Sequence, residues 1–233
     1  MIVLGIETSG SVGSVAVCED EACLAAHVSP PGPRHARNLL PAVDDVLRAA
    51  GITRSDVDAV AVSEGPGSFT GLRIAVACAK TLAFALGWQC VGVPSLEVLV
   101  QNVPIGPEGT VACPVRDARR DRVYGTIFCS DDGVWQDTTG VLLLPPPDLA
   151  ARLPKGAIVF GTGVTAYPEE LGADRFTVGP AGYGTGSAQA VARLGRLRVM
   201  AGGAVDPMGL APRYYRLTEA EERFGTPAAA PEQ

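Results

Sequence analysis

SEGPGSFTGLRIAVACAK, residues 63–80, packs three glycines and a proline into seven positions, after an apolar run and before a long apolar helix. The stretch is tested first as a phosphate cradle. A P-loop needs GxxxxGK followed by Ser or Thr. Here five residues separate Gly65 from Gly71, and Leu72 stands where the lysine belongs. The dinucleotide fingerprint GxGxxG fails too, because Gly71 comes one residue late. Two readings stay open. Gly65 and Gly67 permit a sharp strand-to-helix turn with Ser68 or Thr70 capping the helix. Alternatively, the same loop at a helix N-terminus holds an anion.

The helix behind the loop is apolar on nearly every side. Ile74, Ala75, Val76, Ala77, Cys78, Ala79, Leu82, Ala83, Phe84 and Leu86 cover most of its circumference. One face packs on a sheet. The other is either central to the fold or part of a protein interface.

Working outward, IVLGIETS, residues 2–9, reads as a buried strand. GSVGSVAVCED and EACLAAHVS follow with short separators, suggesting a three-stranded antiparallel meander. Leu39, Leu40, Val43, Val46, Leu47 and Ala50 recur at helical spacing. Pro41 requires that helix to begin near it, and Gly51 stops it. DVDAVAVSEGPGS is a strand into the glycine loop. CVGVPS is another strand, and SLEVLVQNV another helix with Ser95 as its cap. A meander followed by helix-linked strands is a mixed sheet of α/β type. PIGPEG, residues 104–109, marks a boundary between a first lobe at 1–103 and a second at 104–218, whose last helix or segment returns to lobe one. The tail 219–233 reads as disordered.

The 233 residues carry a net charge of −6, which argues against autonomous nucleic-acid binding but not against a local basic patch. The N-terminus has neither a positive region nor a long apolar run, so a signal peptide and a membrane span are not expected there. Six cysteines form no CxxC pair and fit free thiols in a reducing cytoplasm. His27 and His35 are the only histidines, with no partner at metal-binding spacing, so no metal site is expected. No GxSxG nucleophile elbow occurs, and no acid/base pair stands out.

Two further constellations carry polar chemistry. Glu7, Thr8, Ser9 and Ser11 sit in a tight turn between strands. That turn is either an ordinary polar hairpin or similar to the phosphate-binding hairpin of actin-like and sugar-kinase ATPases. The turn RDARRDRVY sets Arg116, Arg119, Arg120 and Arg122 against Asp117 and Asp121. It reads as a solvated hairpin turn or as a phosphate contact, since guanidinium forks suit phosphate oxygens.

The blocks IETSGSVGSVAV, HARNLLP, AVSEGPGSFTGLRIAVACAKTLA, VPSLEVL, DARRDRVY and APRYYR stand in the order expected of the TsaB family, which the chain resembles up to Arg216. The resemblance implies an α/β fold of the ASKHA type, shared with actin and sugar kinases, with two lobes of mixed sheet and helices and a reduced second lobe. It implies a non-catalytic scaffold, cytoplasmic, for the complex that makes N6-threonylcarbamoyladenosine next to the tRNA anticodon. The partners implied are TsaD, which carries the metal-binding HxxxH, and TsaE, with tRNA reached through the complex. Here that HxxxH position holds His35 and Leu39. The resemblance also implies that the first two helices, about 38–50 and 70–86, pack on TsaD or on a second copy as a homodimer. The interface residues it nominates are Leu39, Leu40, Val43, Leu47, Ile74, Ala77, Cys78 and Thr81. The alternative expectation is an ATP-binding ATPase or kinase, holding ATP or ADP through Glu7, Thr8, Ser9, Gly65, Gly67 and Ser68. Arg119 and Arg120 are the nominated phosphate contacts.

Overall fold

A computed structural model describes residues 1–30 and 35–216, without the side chains of residues 35–37. The expected tail at 219–233 and the last two residues of the second lobe lie outside the described residues. Strand β1 (Ile2–Glu7) sends Leu4 and Ile6 to one sheet face and Val3 to the other. It pairs antiparallel with β2 (Ser14–Glu19), which pairs antiparallel with β3 (Ala22–Val28). Helix α1 (His35–Ala50) then leads to β4 (Ala59–Gly65), helix α2 (Phe69–Leu86) and β5 (Gln89–Pro94). β1, β4 and β5 run parallel, giving the order β3-β2-β1-β4-β5.

Helix α1 begins at His35 rather than near Pro41, so the proline sits inside it. Pro41 lies on the exposed side and forfeits one backbone bond, at a cost of about 3 kcal/mol. Burial of Leu39, Val43, Val46 and Leu47 on the opposite side offsets this at about 1.5–3 kcal/mol each. These side chains join Leu4, Ile6, Val60 and Val62 of the sheet and Ala75, Val76, Ala79 and Ala83 of α2 in one core. Among the described residues, α2 alone has the length and hydropathy of a membrane crossing. Its buried side is spent on this sheet.

In helix α3 (Ser95–Val100) Pro94, not Ser95, holds the N-cap position, and no side chain caps the helix. The Ser95 hydroxyl instead accepts from Gly65 N at 3.1 Å, because the two lie on neighbouring parallel strand ends. Strand β6 (Val111–Asp117) opens the second lobe. β7 (Val123–Gly125), β8 (Phe128–Asp131), β9 (Val134–Asp137) and β10 (Leu142–Leu144) follow. The strand expected after the charged turn is thus broken into β7 and β8, both antiparallel to β6. Helix α4 (Pro146–Arg152), β11 (Ile158–Phe160), the short helices α5 (Thr162–Ala166) and α6 (Pro168–Leu171), and β12 (Thr177–Val178) complete a second mixed sheet.

Helix α7 (Ala188–Met200) crosses back onto the first sheet. Ala190, Val191 and Ala192 pack on Val3, Ala59, Ala61, Val91 and Val93. The approach is close: a Cβ on Gly5 would overlap Ala188 O, and one on Gly195 would overlap Ala61. Leu96, Leu99 and Val100 of α3 pack with Ala112, Phe128 and Phe160, which joins the two lobes.

Candidate functional site

The residues nominated from sequence fall in two places. The first is a buried polar network between the lobes. The Glu7 carboxylate accepts from Ser9 N at 2.6 Å and from the hydroxyls of Ser9 and Ser63. The Thr8 hydroxyl donates to Gly71 O at 2.7 Å. Ser9 O accepts from Ser68 N at 2.8 Å and from Arg116 Nη1 at 2.6 Å. Arg116 Nη2 adds a bond to Ser9 Oγ at 2.9 Å. Arg116 was expected in a solvated turn. It is instead buried in β6, where desolvation pulls its pKa down and Glu7 opposes that pull.

The glycine loop serves this network. Gly65 holds φ 121°, a region that favours glycine, and its peptide to Pro66 is cis. Gly71 lets α2 close onto Thr8, since a Cβ there would overlap Thr8 O. Ser68 caps α2 by accepting from Gly71 N at 3.2 Å. A Cβ on Gly67 would overlap Ser9 O. Glu7, Thr8, Ser9, Gly65, Gly67 and Ser68 thus come together, and the side chains of Glu7, Thr8, Ser9 and Ser68 each bond within the chain. Among the described residues, no three His, Cys, Asp or Glu side chains group as metal ligands.

The second place is the outer face of α1 and α2, and it divides the eight nominated residues. Leu39, Val43 and Leu47 are 3–6% exposed and belong to the core, so the expectation that they meet a partner is corrected. Their spacing matches the stripe that faces the sheet. Leu40 is 57% exposed; Ala77 and Thr81 are exposed; Ile74 and Cys78 are half-buried. Phe84, 75% exposed, joins Ala77 and Thr81 on the outward stripe of α2. Its place was readable from the i, i+3, i+4 spacing once the sheet-facing side was known.

The segment after α7 completes this face. Lys80 Nζ donates to Met208 O at 2.9 Å, and Arg73 Nε donates to the Tyr214 hydroxyl at 2.9 Å. Arg213 N donates to Glu64 O at 2.7 Å, while its guanidinium lies 2.8 Å from the Glu64 carboxylate. Burial raises the Glu64 pKa, and Arg213 opposes the shift. Arg119 and Arg120 are exposed on the turn between β6 and β7, both with positive φ.

A meander running into parallel strands, flanked by helices and followed by a second mixed sheet, defines an actin-like ATPase and sugar-kinase type of fold. Ser9 of its hairpin turn is bonded to Glu7 and Arg116 of the same chain. Comparison with known proteins narrows the class. The family model for TsaD, tRNA N6-adenosine threonylcarbamoyltransferase, matches residues 31–142. The tRNA threonylcarbamoyladenosine biosynthesis protein TsaB of Escherichia coli (strain K12) is 31% identical over 173 residues, 72% of this chain and 74% of that protein. The protein of the same name from Bacillus subtilis (strain 168) is 29% identical over 231 residues, 96% of this chain and 98% of the other. The solved structure of YeaZ from Pseudomonas aeruginosa superposes with a TM-score of 0.78 at 28% identity, covering 91% of this chain and 99% of that one. The chain belongs to the TsaB family.

Proposed function

We propose that this chain acts in the biosynthesis of N6-threonylcarbamoyladenosine in tRNA, as a non-catalytic scaffold that binds and activates the threonylcarbamoyltransferase TsaD in the cytoplasm. TsaE joins the larger complex, and tRNA is reached through it. A homodimer through the same face is the resting form of the chain alone. The observation that carries this reading is the outward stripe of α2. Ala77, Thr81 and Phe84, with Leu40 of α1 and the half-buried Ile74 and Cys78, leave apolar surface uncovered on a helix whose other side is already packed. Small residues at 77 and 81 permit close helix approach. The engagement of Glu7, Thr8 and Ser9 within the chain favours a scaffold over a nucleotide-turnover enzyme.

Size-exclusion chromatography with light scattering tests the reading, on the chain alone and mixed with TsaD of the same organism. A stable mixed species that restores tRNA modification is expected, with Ala77→Arg unable to form it. Normal assembly of Ala77→Arg would remove the interface assignment. Titration with millimolar ATP should give neither tight binding nor turnover.

A further inference from the structure

The turn around Arg119 and the segment 211–216 meet beside the first turn of α2. Arg216 Nη1 donates to Ala118 O at 2.8 Å and to Arg119 O at 3.3 Å, fastening segment to turn. Tyr124 and Tyr215 meet edge-on with centroids 6.3 Å apart. Tyr214 lies 5.1 Å from the Phe69 ring at an interplanar angle of 32°. The Arg73 guanidinium sits 4.0 Å above Phe69. Between these groups opens a cavity of about 170 Å3, bordered by Pro66, Phe69, Tyr124, Tyr214, Tyr215 and Arg216.

The charge here is opposite to that of the whole chain. Arg73, Arg119, Arg120, Arg122, Arg213 and Arg216 stand against Asp117, Asp121, Glu64 and Asp137, whose carboxylate acts on Tyr215, in a protein of net charge −6. Glu64 and Arg213 are paired and cancel each other, so the outward charge comes from the other five arginines. Arg119 lies 3.4 Å from Asp117 yet its side chain is 86% exposed. A local basic surface on an acidic protein selects an anionic partner by position. Exposed rings among those cations add a feature that a plain polyanion does not use, which is a flat face for stacking. Phosphates for the guanidinium forks and bases for the rings are the two halves of a single-stranded nucleic acid.

We propose that this arginine–tyrosine patch is a contact for single-stranded RNA. The turn arginines hold backbone phosphates while an unpaired base stacks against Tyr214. The patch deepens the reading above and rests on it for the identity of the RNA as tRNA. It adjoins the α2 stripe, since Arg73 lies one turn before Ala77, so RNA held here runs along the edge of the partner face.

Fluorescence anisotropy with a labelled single-stranded RNA, on the full chain at low salt, tests the proposal. The wild-type chain binds, and its affinity falls as salt rises. Arg119→Gln combined with Arg122→Gln, both on the exposed turn, weakens binding at least about tenfold and lowers the log–log salt slope by about 1 to 2. Tyr214→Ala weakens binding about tenfold with the slope unchanged, because stacking is lost and no ion contact is. Absence of wild-type binding, or variants that bind as the wild type does, overturns the proposal. So does an arginine variant that keeps RNA but loses TsaD, which makes the patch a protein surface. Ala77→Arg should not weaken RNA binding by the free chain, since an added cation does not repel phosphate. Its effect on TsaD assembly therefore reports on the scaffold reading alone.

Discussion

Arg116 is the residue on which the two lobes lean. Its guanidinium sits in the second sheet and bonds both the carbonyl and the hydroxyl of Ser9 in the first. The same Ser9 hydroxyl donates to Glu7, so cation and carboxylate are linked through one side chain. Arg116→Ala removes both bonds and leaves the buried carboxylate without its cation, for an expected loss of about 3 kcal/mol. A urea titration reads this as a lower midpoint; an unchanged midpoint would mean the network contributes nothing to stability. The thiols give a second expectation. Burial pushes Cys18, whose neighbour Cys23 adds to the shift, and Cys113 each up to about 12, and raises Cys90. A raised folded pKa favours the neutral thiol. That stabilisation is fully present below the ordinary value of 9.0 and is lost as pH climbs toward about 12. At pH 8, thiol labelling of the native chain should pass over Cys18, Cys90 and Cys113 until urea exposes them. Rapid native labelling of Cys113 would contradict its burial.

At the scale of elements, α1 and α2 differ in sequence and in use: α1 carries one apolar stripe, α2 is apolar on nearly every side. α1 turns nearly all its large apolar residues inward, leaving Leu40 out. α2 has more apolar residues than one sheet can cover. Two substitutions separate these roles. Val43→Glu puts a charge into the core and should cost about 4 kcal/mol, seen as lost cooperative unfolding. Ala77→Arg stands on an exposed position and should change stability by less than about 0.5 kcal/mol while abolishing assembly with TsaD. Equal destabilisation by both would mean that α2 has no free face. The glycine loop between β4 and α2 belongs at this scale too. It gives a tight launch for α2 because Gly65 supplies positive φ and Gly71 the close approach to Thr8.

For the whole molecule, the chain order does not follow the spatial order. Helix α7 belongs by sequence to the second half and by packing to the first sheet. It covers Val3, Ala61, Val91 and Val93, which would otherwise face water. A chain ending after Gly186 should therefore be insoluble or lose its cooperative melt by circular dichroism, even though both sheets remain in it. A soluble, cooperatively melting fragment would show that α7 is dispensable. The segment 207–216 then runs from α7 across α2 to the arginine turn, through Lys80, Glu64, Arg73 and Ala118 in order. One strap of chain thus ties together the apolar stripe, the glycine loop and the second lobe.

The sequence by itself determined the local elements. Alternation marked β2, and continuous apolar runs marked β1, β4 and β5, because a strand buried on both faces needs no polar side. The helical stripe at Leu39, Val43 and Leu47 and the Gly65–Gly71 turn were legible too: each depends on residues within one or two turns. Direction was not legible. Periodicity finds the apolar stripe of α1 but not whether it faces sheet or partner, and burial in the tertiary structure assigned it to the sheet. Arg116 shared a charged run with Arg119 and Arg120, yet one ends in the core and two in solvent, because β6 continues through it and the turn begins after it. Ser95 read as a cap until a neighbouring strand end claimed its hydroxyl. The meeting of Tyr214, Phe69 and Arg73 spans more than a hundred residues of chain, so only the fold could bring it about: spacing along a chain encodes local geometry, while contacts between distant segments are decided by packing.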